Sequence, residues 1–159
     1  MIMKKPTTLI LLFLLALGAT GVLQAQTTSD IAVARSDLQA DRQAVVAANL
    51  PMTEAQAAAF WPVYRTYRTE MAVLGDQTQK MITAYANSYS DAAVTDAQGM
   101  ALTKDYLKLL KATVELREKY VGRFSEVLPG KSVMRFYQIE NKLDAMLMSA
   151  IADEIPLVD

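Results

Sequence analysis

"TEAQAAAFWPVYRTYRTEMAVLGDQTQKMITAY", residues 53–85, carries the pattern that decides the fold. Phe60, Tyr64, Tyr67, Met71, Leu74, Thr78, Met81 and Tyr85 follow one another at intervals of 4, 3, 4, 3, 4, 3 and 4 residues. This heptad period keeps one apolar edge of a helix in line with a neighbouring helix over most of its length. The pattern predicts a helix from Thr53 to about Tyr89, roughly 55 Å long at 1.5 Å per residue. Such an element is too long for a compact globule of this size and needs a second long helix beside it. Pro62 falls in its third turn, lacks a backbone donor and crowds the carbonyl of Ala58, so a kink is expected near residues 58–62.

Both ends of the long helices are punctuated. In Thr53-Glu54-Ala55-Gln56 the threonine hydroxyl can accept from the backbone N–H three residues on, while the Gln56 side chain reaches back to the Thr53 N–H. Thr95-Asp96-Ala97-Gln98 repeats this capping box, with an acid in the first turn that suits the helix dipole. Each threonine cap is worth about 1 kcal/mol. The helix after the second cap, from Asp96 to about Leu128, shows two adjoining seams. Leu102, Tyr106, Leu109, Thr113, Leu116 and Tyr120 form one; Leu107, Leu110, Val114, Val121, Phe124 and Leu128 form the other. A stripe that wide predicts two neighbours. Pro129-Gly130 then ends the helix.

A further helix from about Lys131 to Glu154 offers Val133, Phe136, Ile139 or Glu140, Leu143, Leu147 and Ile151 or Ala150, and Pro156 stops it. A weaker one from about Asp30 to Ala48 presents Ile31, Ala34, Leu38 and Val45, a thin face suited to an edge. No period-two run is long enough for a strand. The predicted fold is all-α: an elongated helical hairpin with additional N- and C-terminal helices, three to four in all, with a kinked long helix at Pro62.

Residues 1–25 read as a signal peptide: Lys4 and Lys5 precede an apolar run from Leu9 to Leu17, and small residues follow up to Ala25. The run is shorter than the roughly 20 residues that cross a bilayer, so cleavage near Ala25 and no stable membrane insertion afterwards are expected. Residues 26–159 then form a single all-helical domain. Without Lys4 and Lys5 the balance falls from 16 basic against 17 acidic residues to 14 against 17, a formal −3. That gives no electrostatic case for nucleic acid. With no His and no Cys, Cys nucleophiles, His-assisted serine catalysis and the usual zinc or copper sites are excluded, and no disulfide holds the chain. There is no Gly-rich phosphate loop or nucleophile elbow either. Neither an enzyme nor a cofactor is expected.

Two surfaces are candidates for binding. Phe60, Tyr64 and Tyr67 belong to the seam and are expected to fill it, whereas Trp61 and Val63 fall off it and are candidates for exposure. Met71, Met81 and Met146 sit where a core would want them. Lys104, Lys108 and Lys111, spaced 4 and 3 on one helix face, join Arg65 and Arg68 of the preceding helix as a candidate basic strip for acidic segments of a partner. A solvated face, interrupted by Asp105, Glu115 and Glu118, is the alternative. Glu140, Asp144, Asp153 and Glu154 could hold a hard cation through oxygens, but their spacing matches no known loop.

The paired caps carry a resemblance. "MTEAQ" at residues 52–56 and "VTDAQ" at 94–98 are similar to the doubled Leu-Thr-x-x-Gln motif (LTxxQ) of the Spy and CpxP-like periplasmic proteins of the envelope stress response, with Met52 and Val94 in place of the motif leucines. The resemblance covers about residues 50–128. It implies an elongated hairpin, often a homodimer forming a shallow cradle, that binds unfolded or misfolded envelope proteins without ATP, as a chaperone. Some relatives instead restrain a membrane sensor kinase or bind zinc. The expected function is therefore a periplasmic ATP-independent chaperone or stress-associated protein. The alternative is a regulatory or structural adaptor for one envelope partner, such as a sensor protein. A zinc-responsive sensor, for which the chain lacks His and Cys, is a third reading.

Overall fold

The computed structural model describes residues 41–91, 94–152, 155 and 157. The predicted signal peptide, the start of the first helix with Ile31, Ala34 and Leu38, and Asp153, Glu154 and Pro156 lie outside the described residues. The described residues are all-α, in four helices: α1 at residues 41–49, α2 from Glu54–Asp91, α3 from Asp96–Ser125 and α4 from Gly130–Ala152. The 38 residues of α2 span about 57 Å, and the 30 of α3 about 45 Å.

Both long helices start at the hydroxyl–amide exchange that the sequence contains. Gln56 N–H donates to Thr53 Oγ1 at 3.2 Å while the Thr53 N–H donates to Gln56 Oε1 at 2.9 Å. The same two bonds at Thr95 and Gln98 measure 3.3 and 3.0 Å. Pro62 lies inside α2, and the helix runs on through it to Asp91. At the far end of α3, Leu128 N–H donates to the Phe124 carbonyl at 2.9 Å before Pro129 stops the helix, and the Pro129 carbonyl accepts from Ser132 and Val133 as α4 begins.

α2 and α3 lie antiparallel as a hairpin. Phe60 faces Phe124 with ring centroids 5.5 Å apart, Tyr67 faces Tyr120 at 5.2 Å, and Glu70 accepts from Lys119 at 2.6 Å. The seams of the two helices are not uniform along their length. They are aromatic at the open end and carry smaller or polar residues such as Leu74, Thr78, Leu109 and Thr113 further out. α1 and α4 close on the aromatic end, where Phe136 of α4 stands 4.5 Å from Phe124 and 5.5 Å from Phe60. Edge-on and tilted ring pairs of this kind add about 0.5–1.5 kcal/mol each beyond the area they bury. Val46 and Leu50 of the α1 end, and Leu128, Val133, Ile139 and Leu143, complete the core.

Among the described residues, no buried side chain of α2 or α3 falls between Tyr67 and Tyr120. Among the described residues, from Met71 and Leu116 outward the hairpin holds together by half-buried contacts between α2 and α3, as an arm projecting from the aromatic end. Three expectations need correction here. The second α3 seam meets a neighbour only at Phe124 and Leu128, because the 23 residues of α4 pack at the open end. In α1 the inward side chains are Arg42 and Val46, with Val45 half-buried beside them. Met71 and Met81 are half-buried in the hairpin seam, but Met146 faces solvent.

Candidate functional site

The arm leaves one side of α3 uncovered. Met100, Leu107, Val114 and Val121 recur every seven residues and expose 59, 57, 53 and 44 % of their surface, with Leu110 beside them at 45 %. Single exposed apolar residues are ordinary on a protein surface, but a row of five along one helix is the kind of patch that marks an interaction site. α2 covers the opposite side of α3, through Leu102, Leu109, Leu116 and Tyr120. α4 reaches only the neighbourhood of Arg117, whose backbone carbonyl accepts from the Tyr137 hydroxyl at 2.8 Å.

Charges flank this row in two blocks. Lys104, Lys108 and Lys111 stand beside its first half, Glu115 and Glu118 beside its second. All five are exposed, and Lys111 Nζ reaches Glu115 Oε1 at 3.7 Å. Lys104, Lys108 and Glu118 form no ion pair among the described residues.

Arg65 and Arg68 do not join this strip. They sit at the open end beside the Tyr120 region, about 18 Å along the hairpin from Lys108 at 1.5 Å per residue. Arg65 is exposed, and Arg68 turns onto Glu140 at 3.2 Å. Trp61 and Val63, candidates for exposure, are half-buried and packed against the core: the indole lies 5.1 Å from the Phe60 ring and 5.3 Å from Tyr64. Phe136 of α4 packs on the same two rings, Phe60 and Tyr64, that the Trp61 indole meets. Thr53, Gln56, Thr95 and Gln98 are occupied in their caps.

The other polar constellation is internal. Glu140, fully buried, accepts from Arg42 at 3.0 Å and from Arg68 at 3.2 Å. Asp144 accepts from Arg42 at 2.7 Å and from Arg117. Four helices are thereby joined through two carboxylates. Burial works against the Arg42 charge, but Glu140 and Asp144 outweigh it and its pKa is raised. Burial, with Glu140 nearby, pushes the Tyr64 phenol up to about 12 and raises Tyr67 as well. Both arginines on Glu140 reach its Oε2, and its buried Oε1 accepts no hydrogen bond. Among the described residues no group of acids is placed to hold a metal.

Toward the arm, Glu70 accepts from Lys119 at 2.6 Å and Tyr120 at 2.8 Å, hydrogen bonds that hold its carboxyl below the usual range. Sequence reading missed Met100 as a member of the outward row and Arg42 as an inward charge. The seven-residue step from Leu107 back to Met100 was the available signal for the first; nothing local marks the second.

No helix among the described residues is long and apolar enough to cross a membrane. Comparison with protein-family models, with curated proteins and with solved structures finds no match for the chain.

Proposed function

We propose that the protein is a Spy/CpxP-like, ATP-independent binding protein of the periplasm that holds unfolded or misfolded envelope proteins on the outward side of α3. The observation that carries this reading is the uncovered row of Met100, Leu107, Leu110, Val114 and Val121 on a projecting arm. A partly unfolded chain exposes apolar side chains at irregular spacing; a long rigid edge with flexible Met and Leu side chains can meet many such registers. The adjacent lysines attract acidic stretches of a client before apolar contact is made. No nucleotide site is needed, because burial of apolar surface drives capture and client folding drives release. The doubled threonine–glutamine cap and the signal-like residues 1–25 support the family and the compartment.

The purified protein is then expected to slow aggregation of a chemically denatured client at near-stoichiometric ratio, and the Leu107→Glu/Val114→Glu variant to lose most of that effect. Equal protection by wild type and variant, or none by either, refutes the assignment to this face. The fixed seven-residue step of the row also suits one partner helix, which favours a second reading as an adaptor for a single envelope protein such as a sensor. Pull-down from envelope extract separates the two: one stoichiometric partner supports the adaptor, a heterogeneous unfolded set supports the holdase.

A further inference from the structure

We infer that the polar junction at the root of the arm is a binding site for internal water, which links Glu140 of α4 to Tyr67 of α2 and takes the remaining guanidinium donors of Arg42 and Arg117. Four buried polar atoms point to it. Glu140 Oε1, Tyr67 Oη, Arg42 Nε and Arg117 Nε make no hydrogen bond to any described group. Tyr67 and Glu140 have no exposed surface, and Arg42 exposes only 3 %. Buried polar groups nearly always have a partner, from the protein or from ordered water, because an unpaired one bears its full desolvation cost.

The four atoms belong to one neighbourhood. Glu140 Oε2 accepts from Arg42 and Arg68, and Asp144, one turn along α4, accepts from Arg42 and Arg117. Tyr67 directly precedes Arg68 in α2, and its ring stands 5.9 Å from that of Phe136, one turn before Glu140. Burial first, and then the Glu140 charge, raise the Tyr67 phenol, while the Arg117 charge lowers it. The hydroxyl is therefore within electrostatic reach of both.

The kinds of atom select the ligand. Arg42 Nε and Arg117 Nε can only donate, the ionised Glu140 Oε1 can only accept, and the Tyr67 hydroxyl can do either. A water molecule accepts two hydrogen bonds and donates two, so it matches all four, and about three partners already suffice for a buried water. A metal cation would find one free oxygen of Glu140 among three guanidinium groups. A small anion would find donors, but Glu140 Oε1 would repel it and stay unpaired. A direct bond from Tyr67 to Glu140 would leave both guanidinium Nε–H groups without an acceptor. Water thus completes a contact among all four helices, next to Met71 and Leu116 where the arm begins. The site lies apart from the outward row of α3, and its occupancy does not depend on client binding.

Two measurements on the purified protein test this. Magnetic relaxation dispersion of water oxygen-17 counts waters held for longer than the molecule takes to tumble, and crystallographic density locates them. The expected result is at least one long-lived water, with density about 2.7–3.0 Å from both Glu140 Oε1 and Tyr67 Oη. Tyr67→Phe removes one of its partners and is expected to lower the count by one, whereas Tyr106→Phe, at an exposed phenol, leaves the count unchanged. No long-lived water in the wild type, density that shows Tyr67 Oη bonded directly to Glu140 Oε1, or an unchanged count in folded Tyr67→Phe overturns the proposal. So does an anomalous peak at this place in crystals soaked in bromide, which would identify an anion. The wild-type count and density decide the matter even where Tyr67→Phe fails to fold.

Discussion

Glu140 has no exposed surface, and its Oε2 accepts from both Arg42 and Arg68. Removing one member of such a set strands the others in low dielectric. Glu140→Ala is expected to destabilise the protein by about 3–5 kcal/mol in urea unfolding. The Lys111–Glu115 pair makes the contrast: both side chains are mostly in water, and Lys111→Ala is expected to change stability by less than about 0.5 kcal/mol. The buried phenols give a pH signature. Burial pushes Tyr64 and Tyr137 up to about 12, against about 10 in an unfolded chain. A folded value above the unfolded one means that their contribution is complete below about pH 10 and is lost as pH rises toward 12. Tyrosinate absorbance of these groups and loss of helical circular dichroism are expected to rise together in that window. Full tyrosine ionisation with the helices intact would contradict the burial described here.

Among the elements, α3 is bordered on three sides in different ways: by α2 along its length, by α4 at one end and by solvent along the apolar row. Gly122 lies on the solvent side of this helix. No glycine among the described residues has positive φ, and a methyl group at position 122 meets no atom within 4 Å. Gly122→Ala is therefore expected to stabilise the protein by about 0.5–1 kcal/mol, mainly by restricting the unfolded chain, and to raise the midpoint of thermal unfolding. α2 shows how a long seam tolerates a local fault. Pro62 withholds one hydrogen bond, yet Phe60, Tyr64 and Tyr67 on either side are anchored in the core, and the helix continues.

At the scale of the whole molecule, stability is concentrated at one end. Among the described residues, the buried side chains of α2 and α3 cluster at 60–67 and 120–124, and the arm beyond them has half-buried contacts. Native-state hydrogen exchange should follow that gradient, with amides of residues 71–88 and 98–112 opening at lower free energy than those of residues 60–67 and 120–124. Uniform protection along the hairpin would mean that something else covers the arm. The sequence alone determined the all-α class, both capped helix starts and the antiparallel hairpin, because capping and heptad spacing are local patterns that only one backbone geometry can satisfy. Leu107, Leu110, Val114 and Val121 were legible as one apolar line, but as a seam against a second helix, and the structure leaves them exposed. Only tertiary structure decided which apolar side chains are covered. Leu107 and Phe124 share a seam, and what separates them is whether α4 reaches that far. Arg42 and Glu140 stand 98 residues apart, and their pairing depends on how α1 and α4 close on the aromatic end, a contact with no signature in the spacing of either helix.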